Sequence, residues 1–222
     1  MRHICVIGAG YVGLTTGICL ADQGNTVVLL DTDAGKVRQI QEGQLPIFEP
    51  GLSELLAQNL KARRVSATTS YAEAISGAEF VFIAVATPTA EQHDGADLRY
   101  VEAAATELAR NLAPGRRTIV INKSTVPIGT GDWVADTLTL HADPGAMFAV
   151  VSNPEFLREG QAVLDFQQPD RIVLGSTDIA AAQEVATLYL STRAPIIITD
   201  LRTAEMIKYA SNAFLATFCG AE

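Results

Sequence analysis

Ile4-Cys5-Val6-Ile7-Gly8-Ala9-Gly10-Tyr11-Val12-Gly13, with the helical pattern that follows to Ala21 and the apolar run from Thr26 to Leu30 ending in Asp31, decides the fold. The run Ile4 to Ile7 reads as a strand buried on both faces. Strand, glycine-rich turn, helix, strand and terminal acid then follow in one short unit, and each part has a physical task. Gly8 permits the tight turn, Gly10 lets backbone amides approach a pyrophosphate, and Gly13 lets the helix pack closely on the strands. Tyr11 and Val12 open the helix, whose N-terminus directs partial positive charge at the phosphates. Asp31 sits where a carboxylate accepts hydrogen bonds from the adenosine ribose hydroxyls and repels a 2′-phosphate, so NAD is expected rather than NADP. Glycines also serve ordinary turns; the flanking strands and the acid at this distance favour the dinucleotide.

The 222 residues are 48% hydrophobic and 18% charged, enough for one substantial core or one core with an appendage. Net charge is −9, and the densest basic cluster is Lys61 to Arg64, so neither nucleic acid nor an anionic membrane is an expected partner. The first strand begins almost at once, which predicts no signal peptide, and no apolar run approaches membrane-spanning length. Cys5, Cys19 and Cys219 have no spacing that suggests zinc or a disulfide framework. The expectation is no metal site and a cytoplasmic, reducing setting.

Strands are expected at Val65 to Thr68, Phe80 to Val85, Thr118 to Asn122, Met147 to Val151, Arg171 to Leu174 and Ile196 to Thr199. Helices are expected at Ala34 to Gln41, Leu52 to Asn59, Ser70 to Ile75, Leu98 to Leu112, Gly131 to His141, Ile179 to Leu190 and from Arg202 onward, with Glu91 to Asp97 a polar loop. This alternation predicts an α/β fold, a Rossmann-like, doubly wound, mostly parallel sheet over residues 1–200, followed over 201–222 by the start of a long helix. In such a sheet, ligands lie at the carboxyl ends of the strands. Gly8-Gly10, Asp31, Thr87-Pro88-Thr89, Lys123-Ser124-Thr125 and Asn153-Pro154-Glu155 all follow strands, so these loops converge on one edge.

Further candidates come in pairs. Lys36 projects from a first helical turn close to Asp31, where it is either a solvated charge or a cofactor contact. Glu155 and Glu159 are four apart; if their segment is helical, both carboxylates share a face, and either Arg158 and solvent relieve their repulsion or they supply a general base and a polar contact to a ribose. Lys208 and Asn212 are also four apart, and in a helix with Met206, Ile207, Ala210 and Phe214 packed they form a polar stripe. Facing a cleft, that stripe can stabilise an oxyanion; facing water, it is only solvated.

GAGYVGL, PIFEPGL, AVATPT, KSTVPIGT, NPEFLREG and AEMIKYASNAFLAT, in this order and spacing, resemble the UDP-glucose/GDP-mannose dehydrogenase family across nearly the whole chain to about Thr217. The NPEFLREG wording looks more like the UDP-glucose branch than the N-acetylhexosamine branch. The resemblance implies NAD-dependent oxidation of UDP-glucose to UDP-glucuronate by two hydride transfers, through a cysteine thiohemiacetal and thioester. By motif position it implies that Val12, Asp31, Lys36, Thr87 with Pro88, Thr125 and Glu159 contact NAD, and that Thr125 helps hold a water. Glu155 would be a general base. Lys208 and Asn212 would stabilise oxyanions. Glu155-Phe156-Leu157-Arg158-Glu159, with Lys208 and Asn212, would line the UDP-glucose site.

The chain departs from the family pattern in one respect. The GGxC motif that carries the nucleophile, in a second nucleotide-binding domain, does not occur. Phe218 to Glu222 replaces a lysine-containing continuation of the central helix, so a chain cut short is expected, with the family's homodimer in question. Two alternatives remain: a relative acting on a GDP-sugar or N-acetyl sugar, and an NAD-binding module without chemistry. No Tyr-x-x-x-Lys occurs, which disfavours a short-chain dehydrogenase.

Overall fold

The computed structural model describes residues 1–90 and 95–219. Within them, the elements run β1 (His3–Ile7), α1 (Tyr11–Asp22), β2 (Thr26–Leu30), α2 (Ala34–Gln41), α3 (Leu52–Lys61), β3 (Val65–Thr68), α4 (Tyr71–Ile75) and β4 (Phe80–Ile83). They continue with α5 (Arg99–Arg110), β5 (Arg117–Asn122), α6 (Thr130–His141), β6 (Met147–Ser152), α7 (Ala162–Gln167), β7 (Ile172–Gly175), α8 (Ile179–Ala186), β8 (Ile196–Thr199) and α9 (Leu201–Cys219). A 3-10 segment, Thr187–Thr192, extends α8.

The strands form one eight-stranded sheet in the order β3-β2-β1-β4-β5-β6-β7-β8. Every neighbouring pair is parallel except β6 and β7. From β1 the chain winds outward to β2 and β3, then returns to β4 on the other side of β1. The C-terminal ends of β1 and β4 therefore flank the switch point of the sheet, where a crevice opens.

Alternation along the strands divides the core between the two faces. Ile4, Val6, Phe80 and Phe82 join α1, α2, α3, α7 and α8 on one face, through residues such as Leu14, Ile40, Leu56, Phe166 and Val185. Cys5, Ile7, Val81 and Ile83 join α4, α5 and α6 on the other, through Ile75, Leu108 and Leu138. Caps fall where the side chains permit: Asp33 accepts from the Gly35 and Lys36 amides, and Ser70 from the Glu73 amide.

Several expectations need correction. β4 stops at Ile83, two residues before Val85, because the Ala84 amide still bonds Ile7 but the chain then turns away toward Thr87. α8 gives way to the 3-10 segment after Ala186. α7 was not expected; it is short, and only Ala162 and Phe166, one turn apart, are buried. Residues 91–94, within the expected polar loop, and 220–222, within the C-terminal tail, lie outside the described residues.

The segment from Glu155 to Glu159 is not helical. Its amides are taken by side chains instead: Leu157 N–H donates to Glu155 Oε2 at 2.5 Å, Arg158 N–H to Asp165 Oδ2 at 2.8 Å, and Gly160 N–H to Glu49 Oε2 at 2.9 Å. Such local acceptors compete with the helical ladder. The shared carboxylate face of Glu155 and Glu159 does not form.

α9 also reverses its expected faces. Leu201, Ala204, Glu205 and Lys208 are buried, whereas Met206 and Phe214 are 51% and 63% exposed and Asn212 is exposed. Ala204 lies so close to β7 that a Cβ on Gly175 would stand 2.5 Å from its own Cβ. The polar face turns inward because partners for Glu205 and Lys208 wait there. Among the described residues, no helix is long and apolar enough to cross a membrane.

Candidate active site

Gly8 has φ +102, donates its N–H to Leu30 O at 2.7 Å, and leaves no room for a side chain: a Cβ there would lie 2.5 Å from Ala84 O. A Cβ on Gly13 would come within 1.8 Å of Gly8 O, so the helix can sit this close to the turn only as glycine. Gly10 differs, since a Cβ on it would meet nothing within 4 Å. Its side opens on free space at the N-terminus of α1, where no side chain caps the first amides. That is the cradle a pyrophosphate needs: open donors, a helix end and no Cβ in the way.

Asp31 is held at the rim of this turn. Its Oδ2 accepts from Ala9 N–H at 2.8 Å and its Oδ1 from Asp33 N–H at 2.9 Å, while Lys36 Nζ stands 3.6 Å away. A carboxylate oxygen accepts more than one hydrogen bond, so ribose hydroxyls still find acceptors there. Thr87 and Thr125 meet across the next crevice, where Thr87 Oγ1 donates to Thr125 O at 2.8 Å. Pro88 O accepts from Asp97 N–H at 2.7 Å. These residues present donors, an acid and an open path to a dinucleotide, and they fit NAD.

Tyr11 joins this region to the next. Its hydroxyl donates to Glu49 Oε2 and accepts from Gly160 N–H at 3.1 Å. Glu49, 3% exposed, also accepts from Ala162 N–H at 2.8 Å. The loop from Pro46 to Gly51 thus supplies a buried acid that fastens α1 to the segment after β6. Burial, then the Glu49 bond, pushes the Tyr11 phenol up, so it remains a donor.

Beyond that fastening lies a cleft of about 820 Å³, lined by Glu155, Phe156, Leu157, Arg158, Lys208 and Asn212 among others. The structure therefore brings together six of the expected substrate residues. Glu159 does not line the cleft; it is exposed, and its charge acts on Tyr11. Lys208 Nζ donates to Glu155 Oε1 at 3.0 Å, with side chains only 9% and 13% exposed. The Phe156 ring is flanked by cations, with Arg171 4.5 Å and Lys208 5.3 Å from its centroid. Arg158 turns to Asp165, whose carboxyl this hydrogen bond holds below the usual range.

Sequence reasoning missed several groups here. Tyr189 and Arg171 line the cleft and Glu205 lies beside Lys208, while Lys123 and Asn153, placed by sequence only among the converging loops and given no role, also line it. Glu205 accepts from the amides of Gly129 at 2.6 Å and Gly131 at 2.7 Å, so α9 caps the start of α6. Burial raises its pKa against the opposing effect of those amides. The signal for Lys123 was its position immediately after a buried strand. Cys5 and Cys19 are core residues; burial raises both thiols, Cys19 to about 12, so neither is a ready nucleophile.

Residues 2–193 match the profile of the UDP-glucose/GDP-mannose dehydrogenase family, NAD binding domain. The chain belongs to this family. A member from Rhizobium meliloti (strain 1021), a UDP-glucose 6-dehydrogenase, is 50% identical over 219 residues, covering 96% of this chain and 49% of its own. A solved UDP-glucose dehydrogenase of the family, from Pyrobaculum islandicum, superimposes with a TM-score of 0.93 at 44% identity, covering 97% of this chain and 50% of that one. A GDP-mannose dehydrogenase from Pseudomonas aeruginosa gives 0.91 at 33% identity, covering 98% and 51%. The chain spans about half the length of the relatives it matches, and that half is the family's NAD-binding one.

Proposed function

We propose that this chain is the cofactor half of a UDP-glucose 6-dehydrogenase, with a dinucleotide-binding unit through residue 200 and the opening of the helix that supports a dimer in the whole protein. The observation that carries the reading is the Lys208–Glu155 pair at 3.0 Å, in a cleft fastened through Tyr11 and Glu49 to the glycine turn. Bound NAD would supply the hydride acceptor for oxidation at the sugar C6 carbon. The chain's own residues do the rest. The turn at Gly8 to Gly13 and Asp31 bind and orient the dinucleotide, with Lys36, Thr87, Pro88, Thr125 and Glu159 as further contacts.

Glu155 takes the C6 hydroxyl proton or that of an attacking water. Lys208 holds the charge that develops on the oxygen, since an ammonium this far buried acts more strongly than one in water. Asn212, one turn further along α9, adds a neutral donor. The nucleotide sugar lies along Phe156, Leu157 and Arg158. A covalent second oxidation needs a thiolate other than those of Cys5 and Cys19, which are buried and held protonated.

The test is calorimetric titration of the chain with NAD and NADP, followed by incubation with UDP-glucose and NAD. Binding of NAD but not NADP, with no UDP-glucuronate formed, is the expected result. Product formation by the pure chain would refute the division of labour, and equal affinity for NADP would refute the role of Asp31.

A further inference from the structure

Three charged side chains meet in the cleft: Lys123 after β5, Glu155 after β6 and Lys208 on α9. Glu155 and Lys208 neutralise one another at 3.0 Å. Lys123 takes part in no ion pair among the described residues. It is 5% exposed, and its ammonium, which can donate three hydrogen bonds, makes one to Asn153 Oδ1 at 3.3 Å. That acceptor is neutral and already shared, since the Tyr189 hydroxyl donates to the same oxygen at 2.6 Å. Asn153 cannot rotate to improve the contact, because its Nδ2 donates to Val173 O at 2.9 Å. The Tyr189 ring, 6.0 Å from the ammonium, adds only a weak attraction.

The cluster therefore carries one surplus positive charge, removed from water with an open cleft beside it. Burying a cation without a counter-ion is strongly unfavourable. Its missing partner is best supplied by whatever enters the cleft. Resting on the reading of this cleft as a nucleotide-sugar site, we propose that Lys123 is a substrate contact that binds an anionic oxygen on the oxidised carbon of the sugar, so that the cleft favours a carboxylate over the neutral alcohol.

Burial pushes the Lys123 ammonium down from 10.5 to about 8, with Glu155 opposing the shift and Lys208 adding to it. The other ionisable group against it, the Tyr189 phenol, is pushed up by burial and stays neutral. Lys123 is thus still charged at pH 7. Its folded value lies below the unfolded one, so between about pH 8 and 10.5 the folded chain holds fewer protons and is stabilised as pH rises. A lysine kept only for structure would stabilise the empty chain. A lysine kept for a ligand strains it.

The experiment uses this chain and its Lys123→Met variant, which preserves the aliphatic stem and removes the charge. UDP-glucose and UDP-glucuronate are titrated into each by calorimetry, and thermal unfolding is followed at pH 7 and pH 10. The expected result is at least a tenfold loss of UDP-glucuronate affinity with UDP-glucose changed less than twofold. The variant should also melt about 5 °C or more higher at pH 7, with the gap closing toward pH 10. Unchanged UDP-glucuronate affinity, or a lower melting temperature for the variant, overturns the proposal. Should neither nucleotide bind the unmodified chain, the nucleotide-sugar reading fails separately. The Lys123 side-chain NMR signal, titrated with free glucuronate, then decides: movement supports the contact, and none overturns it.

Discussion

The glycine turn and the cleft share one edge of the sheet but are built by opposite means. The turn works with backbone amides, an uncapped helix end and one acid, Asp31, whose partners are mostly neutral amides. The cleft works with charged side chains out of water: Lys123, Glu155 and Lys208, with Glu205 behind them. The first kind of site asks only for space and spacing and places little strain on the fold. The second removes ions from solvent, and each must find its partner or weaken the structure. Substitutions should therefore separate binding from stability in the turn and couple them in the cleft.

The largest expected effect is a deliberate break of that rule within the turn. Gly13→Ala puts a Cβ 1.8 Å from Gly8 O, forces α1 off the sheet, and should destabilise by about 3 kcal/mol or more in urea unfolding. Gly10→Ala, facing open space, should stay within about 1 kcal/mol of the parent yet weaken NAD binding clearly. If both substitutions unfold the chain alike, the turn is a structural device and its cradle role falls.

Next comes Glu155→Gln, which leaves Lys208 buried without its counter-charge and should lose about 3 kcal/mol, while replacing both residues with Met should recover most of it. A harmless single substitution would mean the cleft is wetter than the side-chain burial implies. Asp31→Ala should weaken NAD binding about tenfold, near 1.4 kcal/mol, and lower stability by about 1 kcal/mol, because the buried Ala9 amide loses its acceptor. Lys36→Ala, with its side chain 39% exposed, should change binding by less than about 0.5 kcal/mol. Equal losses would dissolve the ribose-carboxylate argument.

The smallest effect is at the rim. Asp165 is held below its ordinary value of 3.8, first by its hydrogen bond from Arg158, so the folded chain binds its proton later than the unfolded one. Its contribution is present above 3.8 and lost as pH falls through the folded value; Asp165→Asn should slightly flatten the acid limb of the stability profile. An unchanged limb would place this pair among contacts without energetic weight.

Much of the turn was legible residue by residue. The strand bounds Thr26 to Leu30 and the helix Ala34 to Gln41 coincide with their sequence signals, because period, cap and breaker act within a few residues. The cleft was legible only as a gathering of loops after strands. Whether Glu155 and Glu159 are helical neighbours stayed open in the sequence, because nothing near them reveals that Glu49 and Asp165 take the amides a helix needs. From periodicity alone Lys208 could face either a cleft or water, because the apolar-inward rule assigns Met206 and Phe214 to the core. Its partner, Glu155, lies 53 residues away.

What the sequence determined by itself was the alternation of strands and helices, the glycine turn after β1 and the acid that follows β2, since these depend on local sterics and short-range periodicity. The tertiary structure alone decided which polar residues are buried, that Lys123 has no counter-ion among the described residues while Lys208 does, and that Glu49 and Glu205 tie distant segments together. Burying a charge is unfavourable or harmless according to what stands opposite it, and that neighbour is set by folding rather than by adjacency along the chain.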